Sequence, residues 1–225
     1  MTRFPRLALL LLAFFSTMSA ADLPQILKKM DEAALSFKGL TADMNRELFT
    51  YFTKEHEAQS GTVVVRRPKP KDFEVLFEIK EPERQLVSLT GRTGLLYNPK
   101  TNTVQEWNLG KYSAAINQYL LLGFGSSSKD VQESYTIVGS SPAVIGGQQT
   151  TCIELTPRKP DTALHLVRAE LWISDETGIA VQQKVTYSSQ NYDLVTYKNM
   201  KLRADIPESA VKMNLPKGVK REVMR

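Results

Sequence analysis

Apolar and polar residues alternate between residues 73 and 80, with Leu76 as the exception. The apolar positions are Phe73, Val75, Phe77 and Ile79. Because successive side chains of a strand point to opposite faces, these four residues share one face and predict a half-buried strand. Three valines at 63–65 predict a second strand before it. Pro68 and Pro70 lack a backbone N–H, so we expect the first strand to end there and the pair to form a hairpin.

The same alternation recurs along the chain and predicts about ten strands. Those outside this hairpin cover 40–52, 84–90, 95–97, 103–108, 134–138, 148–157, 165–174, 179–187 and 192–202. Hairpin turns are expected at 175–178 and 188–191. Regularly spaced strands with few helices between them predict a mainly β (α+β) fold, with a single antiparallel sheet curled around helices.

Two segments have helical rather than alternating spacing. Residues 24–37 carry one apolar stripe, and Pro24 and Gly39 suit the two ends of a helix. Residues 112–123 predict a second helix, which is apolar on more than one face. Such a helix is either covered on two sides or itself covers an apolar surface. We expect it to cover the sheet, and an ordinary core helix is the alternative.

The first 21 residues have the pattern of a secretory signal peptide. Arg3 and Arg6 precede a short apolar run over 7–15, and the small residues at 19–21 favour cleavage after Ala21 or Ala20. The run is too short for a spanning helix. We therefore expect an exported protein in which residues 22–225 form a single domain.

Charge and cysteine content narrow the classes of partner. Without the two arginines of the leader the chain has 27 basic and 24 acidic residues. This small excess of basic residues is not typical of nucleic-acid binding, so no nucleic-acid partner is expected.

Cys152 is the only cysteine, which excludes an intramolecular disulfide. Its strand-like surroundings predict a buried, inert thiol.

The sequence offers little that suggests catalysis. His56 and His165 are the only histidines, and neither has metal-ligand spacing or a cysteine nearby. The G-x-S-x-G and P-loop motifs are absent. We therefore expect a protein that is not an enzyme and that needs neither a metal nor a cofactor.

Several short motifs occur in a characteristic order. They are Val65-Arg66-Arg67-Pro68, Leu86-Val87-Ser88, the stretch from Gly91 to Pro99, and Leu215-Pro216-Lys217-Gly218-Val219, with the helix of 112–123 among them. In order and spacing the chain resembles the periplasmic carriers of outer-membrane lipoproteins, the LolA-like sorting proteins. The resemblance covers nearly the whole mature chain.

This resemblance implies an incomplete antiparallel β-barrel whose hydrophobic interior is covered by helices. It also implies a monomeric periplasmic carrier that takes lipoproteins from an inner-membrane release transporter and delivers them to an outer-membrane receptor or membrane surface. In the family, the arginine before the proline hydrogen-bonds the lid helix and keeps the empty cavity shut. By motif that role falls on Arg67.

The predicted cavity for acyl chains combines the alternating strand with the second helix. Its residues are Phe73, Val75, Phe77, Ile79, Ile116, Tyr119, Leu120 and Leu122. Other interpretations remain open: a solidly packed core, and an ordinary strand-end arginine at position 67. A lipid-sensing regulatory protein, or a carrier of another amphiphile, on the same scaffold is the alternative function.

Overall fold

One twelve-stranded sheet organises the part of the chain that the structure describes. The structure is a computed structural model and describes residues 23–69, 72–110, 122, 124–159 and 165–224. The strands are β1 (Gly39–Thr50), β2 (Glu55–Lys69), β3 (Asp72–Glu81), β4 (Gln85–Thr90), β5 (Thr93–Asn98), β6 (Thr103–Asn108), β7 (Tyr135–Ile145), β8 (Gln148–Pro157), β9 (Leu166–Ser174), β10 (Ala180–Tyr187), β11 (Tyr192–Leu202) and β12 (Lys220–Met224). The helices among these residues are α1 (Leu23–Ser36) and α2 (Ser128–Ser134), and Glu208–Ala210 form a 3-10 turn.

The strands follow the order β12-β6-β5-β4-β3-β2-β1-β11-β10-β9-β8-β7, so the sheet is open. Every neighbouring pair is antiparallel except β12 and β6, which are parallel. The predicted fold class, a mainly β protein with one sheet that forms an incomplete barrel, is confirmed. The parallel edge pair was not predicted.

β2 and β7 differ most from their predicted bounds, and β12 was not predicted. β2 does not end at Pro68, because the pairing shifts between Arg66, opposite Glu74, and Lys69, opposite Asp72. A proline at such an irregularity removes no hydrogen bond from a regular ladder. β7 contains glycine, serine and proline residues after its predicted end. It nevertheless continues to Ile145, because β8 pairs with β7 along the whole length of β7. β12 had no alternating pattern to predict it.

The inner face of the sheet, defined here as the face that packs against α1, carries two clusters of buried side chains. One cluster surrounds Phe37, Phe73, Phe124 and Tyr197, and the other surrounds Ile26, Met30 and the inner residues of β8 and β9. The predicted helix over 24–37 is thus confirmed as α1, whose two ends contact different clusters. It spans both halves of the sheet and ties them together.

A short helix, α2, follows the segment that was predicted to form the covering helix. Ser127 caps α2, because its hydroxyl accepts the N–H of Asp130 while the Asp130 carboxylate accepts the N–H of Ser127. In addition, the Asp31 carboxylate on α1 accepts hydrogen bonds from the N–H and the hydroxyl of Ser128. These bonds attach α2 to α1.

Two predicted segments lie outside the described residues. These are the signal peptide over 1–21 and almost all of the helix predicted over 112–123. Within that helix the structure describes Leu122, which is buried in the cluster of Ile26 and Met30. Among the described residues, no helix is long and apolar enough to cross a membrane.

Candidate functional site

Arg67, near the end of β2, forms hydrogen bonds to two other parts of the chain. Its Nη2 donates to the Ala34 carbonyl oxygen at 2.6 Å, and its Nη1 donates to the Gly125 carbonyl oxygen at 3.0 Å. The guanidinium carbon lies 5.7 Å from the ring centre of Phe37 and 6.0 Å from that of Phe73. Arg67 therefore connects β2, α1 and the chain directly after residue 123.

The position of Ala34 explains why its carbonyl is available. Ala34 lies in the last turn of α1, where the final four carbonyls of a helix have no partner within the helix. These groups also carry the partial negative charge of the helix dipole. A guanidinium is a suitable donor there, and a hydrogen bond to a charged group is stronger than one between neutral groups. The backbone N–H of Arg67 donates to the Lys38 carbonyl oxygen at 2.8 Å, which holds β2 beside the end of α1.

Position 125 requires a glycine for two reasons, its backbone conformation and the lack of space for a side chain. Its φ of +66° lies in the left-handed region, which side chains disfavour. A Cβ at this position would lie 2.6 Å from Cγ of Phe37. The glycine thus lets the backbone approach the Phe37 ring closely while its carbonyl faces Arg67.

An apolar cavity of about 190 Å³ lies within the curl of the sheet. Its lining residues are Met44, Arg46, Phe77, Ile79, Val87, Leu89, Phe124, Gln183, Val195 and Tyr197. Strands β4 and β10 both contribute, although β3, β2, β1 and β11 lie between them in the sheet. The sheet must therefore curve around this space. An apolar cavity of about 150 Å³ is large enough to hold benzene, so this one has room for a small apolar guest.

The structure places the predicted cavity residues in different surroundings. Phe77 and Ile79 line the cavity. Phe73 and Val75 face the same side but are packed in the core with Phe37 and Phe124. Leu122 is buried beside α1 in the other cluster. The remaining predicted residues, Ile116, Tyr119 and Leu120, lie outside the described residues.

Sequence reasoning missed an ion pair at one end of the cavity. Arg46 donates to Asp193 through Nε at 2.8 Å and Nη2 at 2.5 Å, and through Nη1 to Gln59 Oε1 at 3.4 Å. The Asp193 side chain is 2% exposed, so the pair is partly buried. One signal was available: Arg46 continues the alternation of Ala42 and Met44, which places an arginine on the inner face.

Tyr197 forms part of the cavity wall. Its ring packs on Phe124, with 4.8 Å between ring centres. Burial raises the pKa of Tyr197 above its ordinary value, and the nearby Asp193 carboxylate raises it further. The hydroxyl therefore stays protonated at physiological pH.

A larger groove of about 880 Å³ lies where the β7–β8 turn and the β9–β10 turn approach the C-terminal half of β11. It mixes apolar residues such as Ile145 and Met200 with polar ones such as Gln182 and Lys198. None of the residues predicted from sequence lines it. Its polar walls suit an acyl chain less well than the smaller cavity does.

Cys152 on β8 is buried, as predicted. Burial raises the pKa of its thiol to about 11, and the neighbouring Glu170 and Glu154 carboxylates contribute. Because the thiolate is the reactive form, we expect the native protein at pH 8 to react with a chromogenic disulfide reagent at least a hundredfold more slowly than the protein in guanidinium chloride. Rapid stoichiometric labelling of the folded protein would show that the thiol is accessible.

The described residues contain no group of three or more His, Cys, Asp or Glu side chains placed to hold a metal ion.

Comparisons with known proteins agree with this architecture. The chain has the fold of an uncharacterized conserved protein from Thermus thermophilus, with a TM-score of 0.53, 12% identity, and coverage of 89% of this chain and 98% of the other. MucB is also similar, with a TM-score of 0.51 and 14% identity; the match covers 87% of this chain but only 64% of the MucB chain. A LolA superfamily protein from Nitrosomonas europaea matches with a TM-score of 0.42, 14% identity, and coverage of 84% and 97%.

No curated protein sequence matches the chain. The model of the family described as "Outer membrane lipoprotein carrier protein LolA" matches residues 36–213. This range contains β1–β11 and α2, together with Arg67 and every residue of the apolar cavity. The chain therefore belongs to the LolA family of outer membrane lipoprotein carrier proteins.

Proposed function

We propose that this protein is a periplasmic carrier that binds lipoprotein acyl chains in its cavity and shuttles them from the inner to the outer membrane. The observation that carries the proposal is Arg67, which ties the chain after residue 123 to α1 on the same inner face as an apolar cavity. Membership of the LolA family supports it. The carrier performs no covalent chemistry and acts as a monomer.

Burial of the acyl chain provides the binding free energy. Each methylene removed from water contributes about 0.8 kcal/mol, so a chain of about fourteen methylenes gains on the order of 11 kcal/mol. A bilayer offers a similar gain, so transfer between membrane and carrier is close to neutral. A small difference in free energy between the open and the shut carrier then decides the direction of transfer.

The shut state protects the empty carrier. An exposed apolar cavity would favour aggregation, and a covering segment held by hydrogen bonds prevents this. Hydrogen bonds to a charged group contribute roughly 1.5–3 kcal/mol each. Those of Arg67 are strong enough to favour closure and weak enough to yield to an entering chain. The present cavity of about 190 Å³ must widen to admit a full acyl chain.

The partners follow from this role. An inner-membrane lipoprotein-release transporter supplies the cargo, and an outer-membrane receptor or the membrane surface accepts it. The signal peptide directs the chain to the periplasm, where the carrier crosses between the two membranes.

Identification of the bound cargo tests the proposal. The tagged full-length chain is purified from its native compartment, and co-purifying lipids and lipoproteins are identified by mass spectrometry. Phe77→Asp places a charge in the cavity wall and should lose the cargo. Val138→Asp is the matched control, because Val138 is 56% exposed on β7. Recovery of no acylated molecule with the wild-type chain would contradict a carrier.

A lipid-sensing regulatory protein on the same scaffold is the second candidate, because a fold shared with proteins such as MucB does not by itself fix the function. The same purification separates the two candidates. Recovery of a regulatory protein in place of lipoproteins and their release transporter would favour the sensor. Recovery of a different amphiphile would favour a carrier of that amphiphile.

A further inference from the structure

Gln183 is a polar residue in the wall of the apolar cavity. It lies in the middle of β10 and is 5% exposed. Its cross-strand neighbours are Val195 on β11 and Leu171 on β9, both aliphatic. Within the described residues, the side-chain Oε1 of Gln183 is buried and has no hydrogen-bond partner.

A buried acceptor without a donor is unfavourable. It loses its hydrogen bonds to water on folding and gains none in return. A leucine between Val195 and Leu171 would avoid this penalty and would pack against both. The glutamine therefore lowers the stability of the empty carrier. A guest that brings a hydrogen-bond donor into the cavity would remove the penalty.

The register of the sheet shows where such a donor would lie. Val195 is opposite Arg46 on one side and opposite Gln183 on the other, so the three residues form one row across β1, β11 and β10. Adjacent strands are about 4.8 Å apart, which places the backbones of Arg46 and Gln183 about 10 Å apart. The next row contains Met44 opposite Tyr197, and both line the cavity.

The cavity wall therefore has two polar residues, Arg46 and Gln183, at the two ends of one row beside an apolar space. Arg46 is engaged by Asp193 and Gln59, so its charge is already compensated. Gln183 is the residue of this row that offers an acceptor. For an amphiphile with its tail among Met44, Phe77 and Phe124, Arg46 and Gln183 are the polar part of the cavity wall.

We propose that the cavity selects amphiphiles with a hydrogen-bond donor at the junction of tail and headgroup, and that Gln183 Oε1 accepts that hydrogen bond. This inference rests on the proposed function, because it names the cargo chemistry of the same cavity. An amide N–H that joins an acyl chain to an amino group supplies such a donor, and so does a hydroxyl at the end of a chain.

Two pairs of probes that differ by one donor test the proposal. N-methyldodecanamide has an N–H that N,N-dimethyldodecanamide lacks, and 1-dodecanol has an O–H that dodecyl methyl ether lacks. Their affinities for the full-length protein are measured by displacement of a fluorescent fatty acid. The extra methyl group favours the donor-free probe in any apolar site. For each pair, we therefore divide the affinity for the donor-bearing probe by the affinity for the donor-free probe. The relevant quantity is this ratio in wild type divided by the same ratio in Gln183→Leu.

We expect this quotient to be about three- to tenfold for at least one pair, the range of one net hydrogen bond. Preference for the amide would identify an N-acyl group as the cargo chemistry, and preference for the alcohol a hydroxylated lipid. Gln149→Leu makes the same replacement at an exposed position of β8 and should behave as wild type. Gln183→Leu should also unfold at the same temperature as the empty wild-type protein or a higher one.

The outcomes distinguish the two proposals. If wild type binds all four probes and the quotient is one for both pairs, the role of Gln183 is wrong and the carrier proposal stands. If wild type binds none of them, the carrier proposal fails, and this inference fails with it. Gln183→Met, a close match in shape without an amide, repeats the test if the leucine variant does not fold.

Discussion

Replacing Arg67 by leucine is expected to make the carrier hold an acyl chain more tightly and release it more slowly. The variant loses the hydrogen bonds to the carbonyls of Ala34 and Gly125, while leucine still packs against Phe37 and Phe73. Under the proposed function, reforming these bonds in wild type favours the shut, empty state and so assists release. Without them that assistance disappears, and the open state gains population.

We expect the affinity for a fluorescent fatty acid to rise by about tenfold to a hundredfold. This range corresponds to roughly 1.4–2.8 kcal/mol, somewhat less than two full charge-assisted hydrogen bonds, because Arg67 is only partly buried. The half-time of transfer to acceptor vesicles should lengthen by a similar factor. Stopped-flow transfer between labelled carrier and vesicles measures this rate.

Arg66→Leu is the matched control for this experiment. Arg66 lies next to Arg67 but bonds to Glu74 Oε2 at 2.6 Å and to the Ile206 carbonyl oxygen at 3.2 Å, away from α1 and Gly125. Its replacement should change retention by less than twofold. If both variants are folded and retain the fatty acid equally well, Arg67 does not hold the empty protein shut.

The second large effect is expected for Gly125→Ala, which should lower the free energy of unfolding by about 2–5 kcal/mol. A left-handed backbone costs a non-glycine residue about 1–2 kcal/mol, and overpacking costs about 1–3 kcal/mol more. The overpacking arises because the new Cβ would lie 2.6 Å from Cγ of Phe37, which is 3% exposed and cannot move outward freely. Urea denaturation of the two proteins measures the difference.

Gly146→Ala separates the two contributions. Gly146 has a φ of +58°, close to that of Gly125, but a Cβ there would meet nothing within 4 Å. We therefore expect this variant to lose only about 1–2 kcal/mol from backbone strain. If Gly125→Ala is no more destabilised than Gly146→Ala, then Phe37 does not pack against Gly125 as closely as described.

Both experiments concern the same junction. Gly125 supplies a carbonyl to Arg67 and a flat backbone surface to Phe37, and Phe37 in turn packs on the guanidinium. A change at either residue disturbs the other. Gly125→Ala should therefore also increase acyl-chain retention. The displacement of Phe37 separates the carbonyl of residue 125 from its donor, the Arg67 guanidinium.

Local pattern was sufficient for much of the fold. The alternation at Phe73, Val75, Phe77 and Ile79 identified β3 and its inner face, because the two-residue period of a strand depends on backbone geometry alone. The helical spacing over 24–37 identified α1 for the same kind of reason. The motif around Arg67 singled out an arginine that bonds to the carbonyls of Ala34 and Gly125, and its role in holding the cavity shut stays a prediction.

Other features depend on contacts between distant parts of the chain. Arg46 and Asp193 are 147 residues apart, and only the pairing of β1 with β11 brings them together. The row that contains Gln183 exists because β10 and β1 both pair with β11. The parallel pairing of β12 with β6 likewise has no local signal.

The sequence by itself thus determined which residues face inward, because side-chain direction along a strand or helix follows from local periodicity. Only the tertiary structure decided which inward residues pack solidly and which surround empty space. Phe73 and Phe77 have the same pattern, yet Phe73 fills the core beside Phe37 and Phe77 borders the cavity. The difference arises because Phe73 meets the ring of Phe37, with 6.4 Å between ring centres, while Phe77 lines open space, and contacts between distant parts of the chain are not encoded in any single segment.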